Sequence, residues 1–293
     1  MTINVLGASG QLGRHVVQAL LDQGAAPGDL SASVRSPDNA SGLAARGVAV
    51  RHADYDAPDT LREAFQGTDI LLLIPTSAPV EPRILQHAHA LQAAREAGVR
   101  RVVFVSVSAA EPTSLFSVAP FLLYAESALR QSGMEWTILR TGMYLDPVAE
   151  WAPTLVETSR LPYPVARGRV AYITREDIAR ALAAACLTTD HAGTLYELTG
   201  PEAVSMPELA QALSHATGAP IAYEHVTEEA YAESCRADGV PEPLVEVLVT
   251  MYRAVDNGEF GRVTGDVEAL TGRPAQTVRA YLDSVLRRDA VEG

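Results

Sequence analysis

The feature that most limits what this chain can fold into is a glycine-spaced loop set directly against its first aliphatic run. Ile3–Leu6 is followed without a break by Gly7-Ala8-Ser9-Gly10-Gln11-Leu12-Gly13. Beyond the loop, Leu12, Val16, Val17, Leu20 and Leu21 recur at three- and four-residue spacing, which predicts an amphipathic helix over Gln11–Gln23. The first two glycines allow a tight turn and a close backbone approach, and Gly13 allows the helix to pack tightly on what precedes it. A helix N-terminus presents amides without acceptors and a partial positive charge. In that order, strand, loop and helix make a cradle for the pyrophosphate of a dinucleotide, and this placement carries a specificity that a glycine pattern alone lacks. Gly7, Ala8, Ser9, Gly10, Gln11, Leu12 and Gly13 are therefore the first candidate binding residues.

The rest of the first half keeps the same rhythm. Strands are predicted at Leu30–Val34, Val48–Arg51, Ile70–Ile74, Val102–Ser106 and Trp136–Leu139, with helices at Pro37–Arg46, Pro58–Phe65, Pro82–Ala97 and Pro120–Gln131. Several helices open on proline, which suits a first turn that needs no amide proton. Strands and helices alternate, and the strands are largely aliphatic without strict period two, as expected of a parallel sheet covered on both faces. The fold class read from this is α/β, a Rossmann-like doubly wound sheet. After Tyr144 the rhythm loosens. Arg175–Leu187, Met206–Ala216, Glu228–Ala237, Pro243–Val255 and Thr277–Leu286 read as helices, and Thr194–Leu198 and Ile221–Val226 as strands. The expected organisation is a nucleotide-binding domain over residues 1–150, with later segments returning to it, and a smaller interleaved α/β lobe over 151–293 that holds substrate.

The end of the second strand selects the nucleotide. An NAD site places an acid there, about 20 residues past the loop, to hold the ribose hydroxyls. This chain has Arg35 and then Ser36, and no acid lies between Ser31 and Pro37. An arginine at that point pairs with a 2′-phosphate, so NADPH is the expected cofactor. Ligands of such sheets lie beyond the carboxyl ends of the strands. Asp54 and Tyr55 after the third strand, and Ile74, Pro75 and Thr76 after the fourth, are thus further candidates. Each is equally an ordinary strand exit.

Composition removes several chemistries. The chain contains no lysine, and all 23 of its Lys-plus-Arg side chains are arginine. Schiff-base chemistry, a P-loop lysine and a tyrosine–lysine relay are all excluded, because a guanidinium stays protonated. The formal net charge of −13 disfavours a nucleic-acid partner, which needs a basic stripe. Cys186 and Cys235 are too few and too far apart for a disulfide framework or a zinc site, and no metal is expected. His87 and His89, two apart on a helix, point to different faces and share no ion. Tyr163 and Arg167 have a catalytic-pair spacing, but Pro162 and Pro164 read as a loop there. No apolar run is long enough to span a bilayer. No leader pattern opens the sequence, and the expectation is a cytoplasmic protein, monomeric or homodimeric.

Gly7–Leu21, Val34-Arg35-Ser36, Gly47–Tyr55, Ala97-Gly98-Val99, Leu139-Arg140 and Val240-Pro241-Glu242-Pro243 together resemble the NmrA-like atypical short-chain dehydrogenases, nearest the type 2 quinone oxidoreductases and triphenylmethane reductases. The resemblance spans nearly the whole chain. It implies a Rossmann-like domain with a packed C-terminal lobe, a substrate cleft between them, NADPH, and hydride transfer to a quinone or similar conjugated acceptor. Short-chain dehydrogenases carry Tyr-x-x-x-Lys on the helix that starts here near Pro120, and the subgroup often has His-x-x-x-Glu. This chain has Leu122 and Glu126 at those places. Tyr124 lies beside them, either presenting its hydroxyl to a cleft or packing as a core aromatic. Ser106 and Ser108 compete for the serine that the wider superfamily places near the nicotinamide. Met143 and Tyr144, after the sixth strand, border the nicotinamide and substrate in the family, with Leu122 alongside. Tyr124, Glu126 and Tyr144 are the candidate catalytic groups.

Three functional readings follow. The first is an NADPH-dependent reductase that needs no protein acid, since a quinone accepts hydride and solvent protonates the product. The second is a non-catalytic NADP(H)-binding redox sensor, suggested by Leu122 and the missing lysine. The third is a tailoring reductase of a biosynthetic pathway with one specific small-molecule substrate.

Overall fold

The computed structural model describes residues 1–292. Its strands are β1 (Ile3–Leu6), β2 (Leu30–Val34), β3 (Ala49–His52), β4 (Ile70–Leu73), β5 (Arg101–Val107), β6 (Glu135–Thr141), β7 (Arg160–Tyr163), β8 (Arg169–Val170), β9 (Thr194–Leu198), β10 (Val204–Ser205) and β11 (Ala222–His225). Its helices are α1 (Gln11–Asp22), α2 (Ser41–Ala44), α3 (Pro58–Ala64), α4 (Val80–Glu96), α5 (Ala119–Arg130), α6 (Asp146–Glu150), α7 (Ala152–Thr158), α8 (Arg175–Leu187), α9 (Met206–Thr217), α10 (Glu228–Ala237), α11 (Glu242–Asp256), α12 (Asp266–Thr271) and α13 (Val278–Glu292). The chain packs as two compact units: residues 1–107, 120–140 and 175–196 form one, and 108–119, 141–174 and 197–293 the other. Each unit is thus assembled from segments that are discontinuous in sequence.

The first unit is built on a seven-stranded sheet in the order β3-β2-β1-β4-β5-β6-β9, with β1 pairing in parallel to both β2 and β4. Strands β1, β2 and β4 are buried at every residue; β4 is aliphatic throughout, while β1 and β2 carry the buried polar residues Asn4, Ser31 and Ser33. Edge strand β3 is half exposed. There Arg51 turns its guanidinium onto the carbonyls of Ala64 and Gln66, each at 2.7 Å, closing the end of α3. Helix α1 buries Leu12, Gly13, Val16, Val17 and Leu20 and packs against α8, whose buried face is rich in alanine and lets the two axes approach. A Cβ on Gly13 would stand 2.2 Å from the Gly7 carbonyl oxygen, so glycine is required by the packing of α1 on its own loop.

The second unit has two small sheets, β8 with β10 antiparallel and β7 with β11 parallel. Its core includes Tyr163 stacked on Tyr252 at 4.5 Å, with Tyr231 edge-on to Tyr252 at 5.2 Å. Two expectations need correction. The Pro162 segment is strand, not loop: Pro162 sits in β7 opposite Glu224, and a strand with one partner can dispense with an amide on its unpaired side. The stretch predicted as one helix from Pro37 to Arg46 is a 3₁₀ turn over Pro37–Ala40 followed by the four-residue α2, which contains Gly42. A glycine inside so short a helix adds backbone entropy that few hydrogen bonds offset.

Candidate functional site

The strand order reverses between β1 and β4, and a crevice of about 540 Å³ opens past the carboxyl ends of β1, β2, β3 and β4. Gly7, Ser9, Gly10, Arg35, Ser36, Asp54, Tyr55, Ile74, Pro75 and Thr76 all line it. Ten residues chosen from separate stretches of sequence therefore meet at one place.

The loop is shaped for an anion. Gly7 adopts φ +89°, and its amide and that of Ala8 donate to the Ser33 carbonyl, tying the loop to the end of β2. Gly10 is the N-cap of α1 in extended conformation, with no side chain capping the helix and no acid in its first turn. The amides of that turn have no intrahelical acceptor. Arg14 adds a cation close by, its Nε donating to the Ser9 carbonyl at 2.9 Å. Ala8, Leu12 and Gly13 are buried, so their side chains support the loop from behind, and Gln11 stands exposed at the start of α1. A phosphate-sized cradle with uncapped amides fits a dinucleotide, and the residues present are the ones that would hold it.

At the far end Arg35 is exposed, and no carboxylate lies within ion-pairing distance of it among the described residues. The nearby acids are committed. Asp54 Oδ1 accepts the Asp56 amide at 3.0 Å, and Asp56 Oδ1 accepts Gln86 Nε2 at 2.9 Å. The floor is one connected network. Thr76 donates to Gln86 Oε1 at 2.5 Å, Tyr55 donates its hydroxyl to the Ile74 carbonyl at 2.6 Å, and His89 Nδ1 lies 3.1 Å from the Tyr55 carbonyl. Desolvation pushes the Tyr55 hydroxyl well above its ordinary pKa, so it acts as a neutral donor. Sequence reasoning missed Gln86, Asp56, Asn39 and Ser77, which line the same crevice. Only Gln86 left a signal, as a glutamine on the buried side of α4.

The remaining candidates lie elsewhere. Ser106 is fully buried at the end of β5 and is not part of the crevice wall; its hydroxyl donates to Glu126 Oε1 at 2.7 Å. Glu126, 1% exposed, also accepts Arg140 Nε at 2.8 Å, Arg140 Nη2 at 2.9 Å and Arg130 Nη2 at 3.2 Å. Expected as an acid or base, it is a carboxylate whose lone pairs are already taken. Leu122 is 1% exposed, which removes it from any solvent-reachable surface, and Met143 is 8% exposed. Tyr124 is neither in the core nor part of the crevice. It is exposed on α5, edge-on to His87 with ring centres 6.5 Å apart. Tyr144 is half-buried in the second unit, bridged to Ile173. No cluster of metal-ligating side chains occurs among the described residues, and no described helix is long and apolar enough to cross a membrane.

Fold and crevice together define a Rossmann-type dinucleotide-binding protein. The model of the NmrA-like family matches residues 1–285, and the chain belongs to that family. It is 33% identical to quinone oxidoreductase 2 of Escherichia coli (strain K12) over 276 residues, 94% of this chain and 96% of that protein. The crystal structure of an NADPH-dependent quinone oxidoreductase of Escherichia coli complexed with NADPH superposes with a TM-score of 0.91 at 32% identity, covering 97% of this chain and 99% of that one. The triphenylmethane reductase of Citrobacter sp. gives a TM-score of 0.91 at 31% identity, over 98% of this chain and 100% of that one. The family expectation from the sequence is thus met.

Proposed function

We propose that this NAD(P)H-dependent oxidoreductase uses NADPH to reduce a quinone or a similarly conjugated small molecule by hydride transfer without a protein acid. Bound NADPH supplies the hydride. Gly7, Ser9, Gly10 and the first-turn amides of α1 would hold its pyrophosphate, Arg35 its 2′-phosphate, and Ile74–Thr76 the wall between them.

The observation that carries the reaction class is Glu126. The helix that carries a tyrosine and a lysine in related dehydrogenases has here the buried Leu122 and a carboxylate saturated by four donors. Leu122 has no acidic proton, and Glu126 is buried and does not line the crevice. A simple ketone needs a proton as the alkoxide forms, whereas a quinone takes hydride to give a stabilised oxyanion that water protonates afterwards. Relatives named for quinone and dye reduction support the same acceptor class. Tyr144 is the proposed substrate contact. Purified protein should oxidise NADPH in the presence of quinones and leave simple ketones untouched. Equal rates with both would overturn the acceptor assignment. Leu122 also favours a second reading, a non-catalytic sensor, which requires tight binding with unequal affinity for NADPH and NADP⁺ and no turnover with any acceptor.

A further inference from the structure

We propose that Glu126 is a positioning residue for the nicotinamide half of the site, an inference that rests on the hydride-transfer reading above. Strand order places the two halves of a dinucleotide on opposite sides of the β1/β4 reversal. The crevice with Arg35 covers the ends of β1, β2, β3 and β4, so the other half falls to the ends of β5 and β6. Ser106 and Arg140 are the penultimate residues of β5 and β6, at that end of the sheet.

Glu126 joins them. One carboxylate oxygen takes the Ser106 hydroxyl at 2.7 Å and Arg140 Nε at 2.8 Å; the other takes Arg140 Nη2 at 2.9 Å and Arg130 Nη2 at 3.2 Å. Two parallel bonds between guanidinium and carboxylate fix distance and plane together, which one bond does not. The carboxylate is 1% exposed and Ser106 and Arg140 are buried with it, so water does not compete for those two donors, whereas Arg130 reaches in from the surface. Three elements, α5, β5 and β6, are thereby held in one register at the strand ends facing the reacting ring. In place of a lysine that would touch the cofactor directly, this chain has a carboxylate that acts through Ser106 and Arg140.

The test compares the parent with Glu126→Gln and with the double variant Glu126→Met/Arg140→Met, following NADPH titration by nicotinamide fluorescence, thermal unfolding, and steady-state kinetics with a quinone. A glutamine turns one acceptor into a donor that faces guanidinium N–H groups, and two methionines remove the buried charges together. In Glu126→Gln the dissociation constant for NADPH stays within about threefold, because the Arg35 side is untouched, while the emission change on binding falls by about half or more. Its kcat drops about tenfold or more and KM for the quinone holds. The double variant recovers melting temperature but neither emission nor kcat. Recovery of all three, or a Glu126→Gln protein with parental emission and kcat, overturns the proposal, as does a parent whose nicotinamide emission does not change on binding. If the parent fails to oxidise NADPH with any of the quinones offered, the hydride-transfer reading fails, and the emission comparison still decides the role of Glu126.

Discussion

Gly13→Ala is the sharpest perturbation of the phosphate loop, because two physical effects oppose each other there. In a free helix alanine is favoured over glycine by about 1 kcal/mol. In this fold the new Cβ would lie 2.2 Å from the Gly7 oxygen, 2.7 Å from the Ala8 Cα and 2.9 Å from the Gly7 carbonyl carbon. All three are backbone atoms, so no side chain can swing away. Bringing the closest contact out to 3.0 Å requires α1 and its loop to separate by about 0.8 Å. Overpacking of this kind costs about 1–3 kcal/mol, and the loop is a tied segment, so the upper part of the range applies. The net loss is about 1–2 kcal/mol after the propensity gain, a fall in melting temperature of about 2–5 °C. The shift also moves the first-turn amides off the pyrophosphate, raising the NADPH dissociation constant by about tenfold or more. Gly42→Ala is the control, since its Cβ meets nothing within 4 Å and its φ is not positive. Thermal unfolding with NADPH titration checks both effects. A Gly13→Ala protein as stable as the parent, with parental affinity, would refute the reasoning.

The other predictions use different handles. Arg35→Ala should raise the NADPH dissociation constant by about 10- to 100-fold, the scale of a lost charge-assisted hydrogen bond, and leave NADH unchanged; equal weakening of both nucleotides would remove Arg35 from the 2′-phosphate. His87 is buried against Phe104 and Phe121 with Nε2 3.1 Å from the Ala125 carbonyl, and desolvation lowers its pKa to about 4. The unfolded chain therefore binds the proton first, so stability falls as pH drops from about 6.5 toward about 4, by roughly 3 kcal/mol when complete. His87→Met should flatten that part of the curve, and melting profiles of equal slope for the two proteins would contradict the assignment. Burial pushes the Cys186 thiol up to about 12 and raises that of Cys235, so neither should react with a disulfide reagent in the native state near about pH 8, and both should react in denaturant. Fast native labelling of Cys186 would show that the α8 face opens.

What could be read from the sequence depended on how local its cause was. β4 is buried on both faces, and its unbroken aliphatic run says so by itself, whereas the burial of Ser31 and Ser33 in β2 is not written in the run. The two-residue strands β8 and β10 exist only because Arg169–Val170 meets Val204–Ser205, a pairing no window of residues contains. Likewise, Pro162 is read locally as a breaker, and only the single-sided pairing with β11 makes it acceptable. The binding loop was legible for the same reason as β4: its glycines, helix start and Arg35 lie close in sequence and each carries its own steric or electrostatic argument. Gln86 was not, since its role comes from Thr76 on one side and Asp56 on the other.

Glu126 is the most instructive case. Its position on α5 was visible, and by position alone a carboxylate beside the end of β5 invites an acid–base role. What it can do chemically is decided by the number of donors aimed at it, and those come from Ser106, Arg130 and Arg140. Two of the three lie on neighbouring strands brought together only by the order β5-β6 in the sheet. Four donors on its two oxygens hold the Glu126 carboxylate as a strut between α5, β5 and β6. That change in role follows from the topology of the sheet, and it is why the reaction is assigned to an acceptor that activates itself.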